Sequence, residues 1–170
     1  SEGLYKNTFI GRTFIMPGQA ERKKSVKYKL VPQELEIRGK KVMIMDDSIV
    51  RGNTSREIVR MLKDFGAKEV YFTVACPPVK SPCFYGVDMP TKDELIAGNM
   101  TEDEIQDYLK VDALLYQKID DLVEAVTRKG DHHIDTPCMA CLDGNYVAND
   151  IDDAKIAEME TMRVNDRNGK

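Results

Sequence analysis

Val42-Met43-Ile44-Met45-Asp46-Asp47-Ser48-Ile49-Val50-Arg51-Gly52-Asn53-Thr54 is the stretch on which the reading of this chain turns. An apolar run stops at two adjacent carboxylates. A short Ser/Gly/Thr loop follows, and a helical pattern begins at about Ser55. Val42 to Met45 reads as a buried parallel strand, apolar on both faces. Asp46 and Asp47 fall at its end, the edge at which open α/β sheets place ligands. The Ser48–Thr54 loop can turn backbone N–H groups towards an anion at the next helix's N-terminus. Carboxylates for sugar hydroxyls or Mg²⁺, beside amides for a phosphate, point to a phosphorylated sugar. Asp-Asp after a strand is also an ordinary strand-to-loop corner, so the whole stretch carries the reading, not the pair alone.

Downstream, Ile58, Val59, Met61, Leu62 and Phe65 have the spacing of an amphipathic helix over Ser55–Phe65, with Gly66 as its C′ residue. Lys68–Cys76 is rich in β-formers and reads as the next strand. Strand, helix, strand in this order is a right-handed βαβ unit with its phosphate loop after the first strand. Pro77, Pro78 and Pro82 stiffen an extended segment. Thr91 to Ala97 is expected to start a helix, with Thr91 and Glu94 as a capping box, and Thr101 and Glu104 repeat the device before a helix over Glu102–Leu109. A short strand over Asp112–Gln117 and a helix over Ile119–Thr127 follow, the latter with Leu122, Val123 and Val126 as core candidates. Residues 131–148 read as loop, and Ile151–Met162 as a charged terminal helix that then frays. Upstream, residues 1–30 are basic and punctuated by Pro17 and Gly18, a loop pattern. Residues 26–31 alternate as in a half-exposed strand, and Gly39-Lys40 marks a turn.

The chain has 170 residues, 42% hydrophobic and 32% charged, enough for one domain with a real core. A net charge of −4 provides no global field for nucleic acid. No apolar run approaches the ~20 residues that span a bilayer, and no signal-peptide pattern opens the sequence. The expected location is cytoplasmic, with no membrane partner. In that compartment Cys76, Cys83, Cys138 and Cys141 point to metal or redox chemistry before disulfides. Cys138-Met139-Ala140-Cys141 is a CxxC turn whose two thiolates suit one metal centre. Its bland counterpart is a reduced surface pair. Cys76, at a strand end, reads as a small buried apolar residue. His132 and His133 leave a zinc set open, though two adjacent loop histidines are more often idle.

The 46–55 wording resembles the phosphoribosyl-pyrophosphate (PRPP) signature of type I phosphoribosyltransferases, and within them the amidophosphoribosyltransferases. Three further segments share the resemblance: Ile10-Gly11-Arg12-Thr13-Phe14-Ile15 with the basic run after it, Cys83-Phe84-Tyr85-Gly86-Val87-Asp88-Met89-Pro90, and the late CxxC. Together they cover roughly residues 3–148. The resemblance implies a type I phosphoribosyltransferase fold, α/β with an open, mostly parallel sheet and flanking helices, here incomplete at its N-terminal side. It divides the chain into a partial phosphoribosyltransferase domain, 1–130, and an extension with the CxxC loop and charged tail, 131–170. It implies Asp46 and Asp47 as catalytic residues on ribose hydroxyls and Mg²⁺, and Ser48, Ile49, Val50, Arg51, Gly52, Asn53, Thr54 and Ser55 around the 5-phosphate. Arg12, Gln19 and Lys29 would meet pyrophosphate from a closing flap. Cys83, Cys138 and Cys141 fall on positions that hold a 4Fe–4S cluster in some of these enzymes, whose fourth ligand lies upstream.

The family reaction joins glutamine-derived ammonia to PRPP, giving phosphoribosylamine, pyrophosphate and glutamate, and commits material to purine synthesis under inhibition by purine nucleotides. The family's glutaminase domain, opened by a nucleophilic Cys, has no counterpart here; Ser1 has little to recommend it in that role. A homo-oligomer would cover the sheet edge left by a missing upstream half. Three rivals stay open on sequence: a base-salvage phosphoribosyltransferase, a non-catalytic PRPP- or nucleotide-binding homologue, and a metal-cluster scaffold without turnover.

Overall fold

The structure, a computed structural model, describes residues 3–6, 30–87, 89–127, 136–148 and 151–168. The expected flap, with Arg12, Gln19 and Lys29, lies outside the described residues, as do His132 and His133.

Two short strands open the described chain. β1 (Leu4–Lys6) and β2 (Leu30–Pro32) pair antiparallel, Tyr5 opposite Val31. β1 has no precedent in the sequence reading, because three residues are too short for a periodicity. A one-turn helix, α1 (Glu34–Ile37), follows, and its Ile37 is fully buried. Gly39 then takes a left-handed φ of 71° at the expected turn.

The site-bearing layer is a parallel sheet in the order β3 (Lys41–Asp46), β4 (Glu69–Val74), β5 (Ala113–Tyr116). Helix α2 (Asn53–Asp64) connects the first two, and it begins two residues earlier than its apolar pattern suggested. It stops as expected. Gly66 has φ 84°, its N–H donates to Lys63 O, and the Ala67 N–H donates to Leu62 O. These are the paired bonds of a Schellman end, which only a residue free of Cβ strain closes cheaply.

The ladder register sorts side chains by face. Ile44 pairs with Phe72 and Phe72 with Leu114; Asp46 pairs with Val74 and Val74 with Tyr116. These residues share one face, because side chains alternate along a strand. On that face Val70, Phe72 and Val74 pack with Ile58, Val59 and Leu62 of α2 and with Ile105 and Leu109 of α4 (Glu102–Leu109). The opposite face carries Met43, Met45 and Leu115, which are 65, 78 and 52% exposed. β3 is therefore not buried on both faces, as its unbroken apolar run suggested. Its hydrophobicity records what a parallel strand can bury, and the described residues cover only one side.

The expected helix from Thr91 to Ala97 is broken. A 3₁₀ turn at Lys92–Glu94 ends at extended Leu95, and α3 (Ile96–Asn99) starts anew. The capping box is nonetheless present at Thr91 and Glu94. The Leu95 side chain is fully buried, and this break turns it inward. α4 keeps its expected bounds and capping box, with the Thr101 N–H 2.7 Å from Glu104 Oε2. α5 (Ile119–Thr127) also keeps its bounds, but Val126 is exposed, and Leu122 and Val123 are only half-buried. The CxxC region is not all loop: α6 (Ala140–Asp143) forms one turn, ended by Gly144 at φ 81°. α7 (Asp153–Asn168) extends beyond the expected terminal helix.

Phe72 is the largest of the fully buried side chains and sits at the centre of the ladder. Phe72→Ala is expected to cost about 3–5 kcal/mol in urea unfolding. Met45→Ala, on the open face, is expected to change stability by less than about 0.5 kcal/mol.

Candidate functional site

Asp46 and Asp47 stand where β3 leaves the sheet. β4 continues to support them: the Ala75 N–H donates to Asp46 O at 3.0 Å and the Cys76 N–H to Asp47 O at 3.0 Å. The two side chains therefore start from backbone that is hydrogen-bonded as tightly as a strand. Alternation sends Asp46 towards the helix-covered face, and it is half-buried, whereas Asp47 is exposed. The Asp46 Oδ1 accepts its neighbour's N–H at 3.0 Å. The Ser48 hydroxyl donates to Asp47 Oδ1 at 3.1 Å. Burial pushes the Asp46 carboxyl above the usual aspartate range, opposed by the Asp47 N–H and aided by the Asp47 charge.

The loop then turns into α2. Ile49 is 1% exposed and belongs to the main core, so only its backbone can face a ligand. Val50 leans on a second, smaller core with Val79, Leu95 and Leu142. Arg51 does not project from the loop. It is half-buried, with its Nε 2.9 Å from Glu94 Oε1. Gly52 is the N-cap of α2 at φ 74°. A Cβ there would stand 2.7 Å from Ile96 Cδ1, so the position needs glycine for space as well as for conformation. Asn53 and Thr54 open the helix with their amides beyond reach of any intrahelical acceptor. Ser55 is buried at 3% exposure.

α2 differs here from its neighbours. Its N-cap offers no side chain and its first turn holds no carboxylate. The first turn of α4 carries Glu102, Asp103 and Glu104, and that of α5 carries Asp120 and Asp121. Unlike those of α4 and α5, the positive end of α2 is thus left without a built-in anion, and it lies next to two carboxylates suited to a hard cation. A cavity of about 240 Å³ lies elsewhere, against Pro32, Arg60 and Phe65, and shares no residue with this corner.

The cysteines gather on the other side of the small core. Cys141 O accepts the N–H groups of Lys80 and Ser81 at 2.9 and 3.0 Å, which ties α6 to the proline segment. The Tyr146 hydroxyl donates to Pro82 O at 2.8 Å, and its ring lies 5.3 Å from that of Phe84. Arg163 of α7 donates to Cys83 O at 2.7 Å and stacks on Phe84. All four cysteines are free. Cys141 is pushed up by burial, then by Cys83 and Cys138; Cys76 is pushed up by burial, then by Cys141 and Asp47. Among the described residues, however, no three His, Cys, Asp or Glu side chains converge closely enough to hold a metal ion. Cys76 packs against the small core, but it is half-buried and not the buried residue its apolar reading expected.

Sequence reasoning missed Glu94 and Tyr108 as supports of the loop, and also Tyr116. The Tyr116 oxygen is buried without a hydrogen-bond partner among the described residues. Burial, then Glu102, pushes the phenol up to about 12, so it stays a donor. The signal available was positional, since Tyr116 closes its strand as Asp46 closes β3.

No protein-family model matches the chain. Curated relatives do. The chain is 49% identical to an amidophosphoribosyltransferase of Pseudomonas aeruginosa over 95% of its own length and 32% of the relative's. It is 50% identical to that of Methanocaldococcus jannaschii over 85% of its length and 30% of the relative's. For that of Escherichia coli the figures are 42%, 97% and 32%. A solved glutamine PRPP amidotransferase from B. subtilis, complexed with ADP and GMP, superposes with a TM-score of 0.73 at 42% identity, over 90% of this chain and 34% of that one. A solved allosteric regulatory enzyme of purine biosynthesis superposes at 0.74 and 41% identity, over 94% and 34%. The α/β phosphoribosyltransferase fold expected from the sequence is the one these structures share. The chain spans about a third of the length of the relatives it matches.

Asp46 yields a signed pH prediction. Its carboxyl is raised above 3.8, so the folded protein holds that proton more tightly than the unfolded chain. Its contribution to stability is then fully present below the unfolded pKa and lost as pH rises through the folded one. Asp46→Asn is expected to raise the melting temperature at pH 7 and to leave it unchanged near pH 3.

Proposed function

From its kinship, along nearly its whole length, with one third of the amidophosphoribosyltransferases, we propose that this chain forms the PRPP-binding part of such an enzyme. The observation that carries the reading is one corner: Asp46 and Asp47 at the end of β3, one short loop before the uncapped, carboxylate-free start of α2. In this reading residues 1–130 form the phosphoribosyltransferase unit and 131–170 an extension, in a cytoplasmic homo-oligomer. A glutaminase domain in the longer polypeptide supplies ammonia.

The reaction asks for placement more than for covalent chemistry. The nitrogen lone pair of ammonia forms the bond to C1 of the ribose; the C1–oxygen bond breaks, and pyrophosphate leaves with its electron pair. One proton is then lost from nitrogen. C1 passes through an oxocarbenium-like state, so the protein gains rate by fixing the sugar and favouring charge separation. Asp46 and Asp47 take the ribose hydroxyls. The amides from Ser48 to Thr54 take the 5-phosphate, with the Ser48 and Thr54 hydroxyls assisting. Ser55 is too buried to do more than support the turn. Mg²⁺, for which the two carboxylates are fitting oxygen donors, supplies charge neutralisation to the pyrophosphate. Arg12, Gln19 and Lys29 would reach the pyrophosphate from the flap, and closure of that flap would exclude water. Purine nucleotides are the proposed inhibitors, which the ADP- and GMP-bound relative supports.

Cys83, Cys138 and Cys141 are proposed as thiolate ligands of a 4Fe–4S cluster, with zinc as the alternative. The influence of Cys83 and Cys138 on the Cys141 thiol supports this; the described donors form no group that could hold a metal ion, so no step of the reaction runs through a cluster.

Titration calorimetry with PRPP and Mg²⁺ tests the site. Asp47→Ala is expected to weaken binding by roughly tenfold or more; unchanged affinity would remove Asp47 from the role. Anaerobically purified protein is expected to show broad visible absorbance that Cys138→Ser and Cys141→Ser abolish. A colourless protein carrying stoichiometric zinc would favour the alternative metal.

A further inference from the structure

The later half of the candidate 5-phosphate loop is tied residue by residue to the stretch between β4 and β5. Four consecutive loop residues each meet it. The Val50 carbonyl accepts the Ile96 N–H at 2.9 Å. The Arg51 Nε donates to Glu94 Oε1 at 2.9 Å. Gly52 lies so close that an added Cβ would stand 2.7 Å from Ile96 Cδ1 and 3.2 Å from Tyr108 Cε1. Asn53 Oδ1 accepts the Tyr108 hydroxyl at 3.2 Å. One turn on, the Arg56 guanidinium sits 4.6 Å above the Tyr108 ring, in cation–π range.

Glu94 is itself anchored. Its other oxygen, Oε2, accepts the Thr91 N–H at 3.2 Å and the Thr91 hydroxyl at 3.3 Å. The carboxylate thus joins a capped turn to the loop, and it occupies the Arg51 guanidinium. By contrast, the side-chain bonds of Asp46, Asp47 and Ser48 are to immediate neighbours. The ligand-facing start of the loop is thus locally tied, and its later half is set by tertiary contacts.

We propose that Glu94 and Tyr108 are positioning residues, which hold Val50–Asn53 in the shape that a sugar phosphate meets. The proposal rests on the reading of this corner as the PRPP site. A loop that presents several backbone amides to one anion must be ordered before binding, or the ordering is subtracted from affinity. Glu94 and Tyr108 supply that order without touching the ligand. They also keep Arg51 turned away from it, so that the 5-phosphate is met by amides and not by a mobile guanidinium.

The test uses the intact protein, with ammonium chloride as the nitrogen source so that glutamine hydrolysis does not enter. Glu94→Gln is expected to raise the KM for PRPP roughly tenfold, with kcat changed by less than about threefold. The dissociation constant for ribose 5-phosphate, which carries the 5-phosphate and no pyrophosphate, should rise in parallel. Tyr108→Phe keeps the ring against Gly52 and removes only the bond to Asn53; a KM increase of roughly twofold to fivefold is expected, with an unchanged melting temperature. That variant decides the matter if Glu94→Gln does not fold. A lower melting temperature and lower kcat with KM unchanged would mark both residues as merely structural and overturn the proposal. Tighter binding in Glu94→Gln would also overturn it, by showing that Arg51 had been withheld from the phosphate. If Asp47→Ala weakens PRPP binding but neither variant does, only the positioning role fails. If PRPP affinity is indifferent to Asp47, the underlying site reading fails and this proposal with it.

Discussion

Asp46 owes its place to a parallel ladder. β3 and β4 pair in register from Lys41 opposite Glu69 to Asp46 opposite Val74, and the pairing outlasts the strand through the amides of Ala75 and Cys76. Because side chains alternate, that register puts Asp46 on the face that α2 and α4 cover, at the rim just past the apolar layer. A slip of one residue would turn Asp46 to the open face and Met45 into the core. The half-buried carboxylate, its raised pKa and its position beside the start of α2 all follow from this single alignment. So does the place of Tyr116, which ends β5 in the same row, with Val74 between.

A second constraint acts on the loop that leaves Asp47. The chain must reverse from strand to helix within Ser48–Gly52, and it does so by borrowing supports. Ile49 is sunk into the main core, Val50 into the smaller one, and Gly52 presses on Ile96 and Tyr108. The loop is therefore wedged between two cores. The smaller core also receives Cys76, Met139 and Cys141, so the CxxC turn and the candidate phosphate loop lean on the same buried residues, Val79, Leu95 and Leu142. The break at Leu95 makes this possible: an uninterrupted helix could not send Leu95 into the small core while Ile96 donates its N–H to Val50.

Much of this was legible from local chemistry. The Thr101–Glu104 capping box marked α4 to the residue, because such a box satisfies orphan amides wherever it occurs. Gly66 marked the end of α2 because a Schellman end needs positive φ. The failures were tertiary. The apolar run Val42–Met45 was read as buried on both faces, but composition cannot say what covers a face, and Met43 and Met45 stand exposed. The ion pair of Arg51 left no local signal, because its partner lies 43 residues away. Val126 fits an apolar helix stripe that the fold turns outward.

The sequence by itself determined the elements and the corner: an apolar strand, two carboxylates at its end, a small-residue loop, an amphipathic helix after it. These depend on neighbours within a few positions, where propensity, capping and φ restrictions act. The tertiary structure decided which face Asp46 shares, that Arg51 is tied to Glu94, and that Gly52 is required for space as well as for φ. Each of those is set by contacts between segments far apart in the chain, which no local pattern encodes. The same boundary runs through the cysteines. CxxC spacing alone announced a thiol pair, and only the docking of α6 on Lys80–Pro82 brought Cys83 and Cys76 into its neighbourhood.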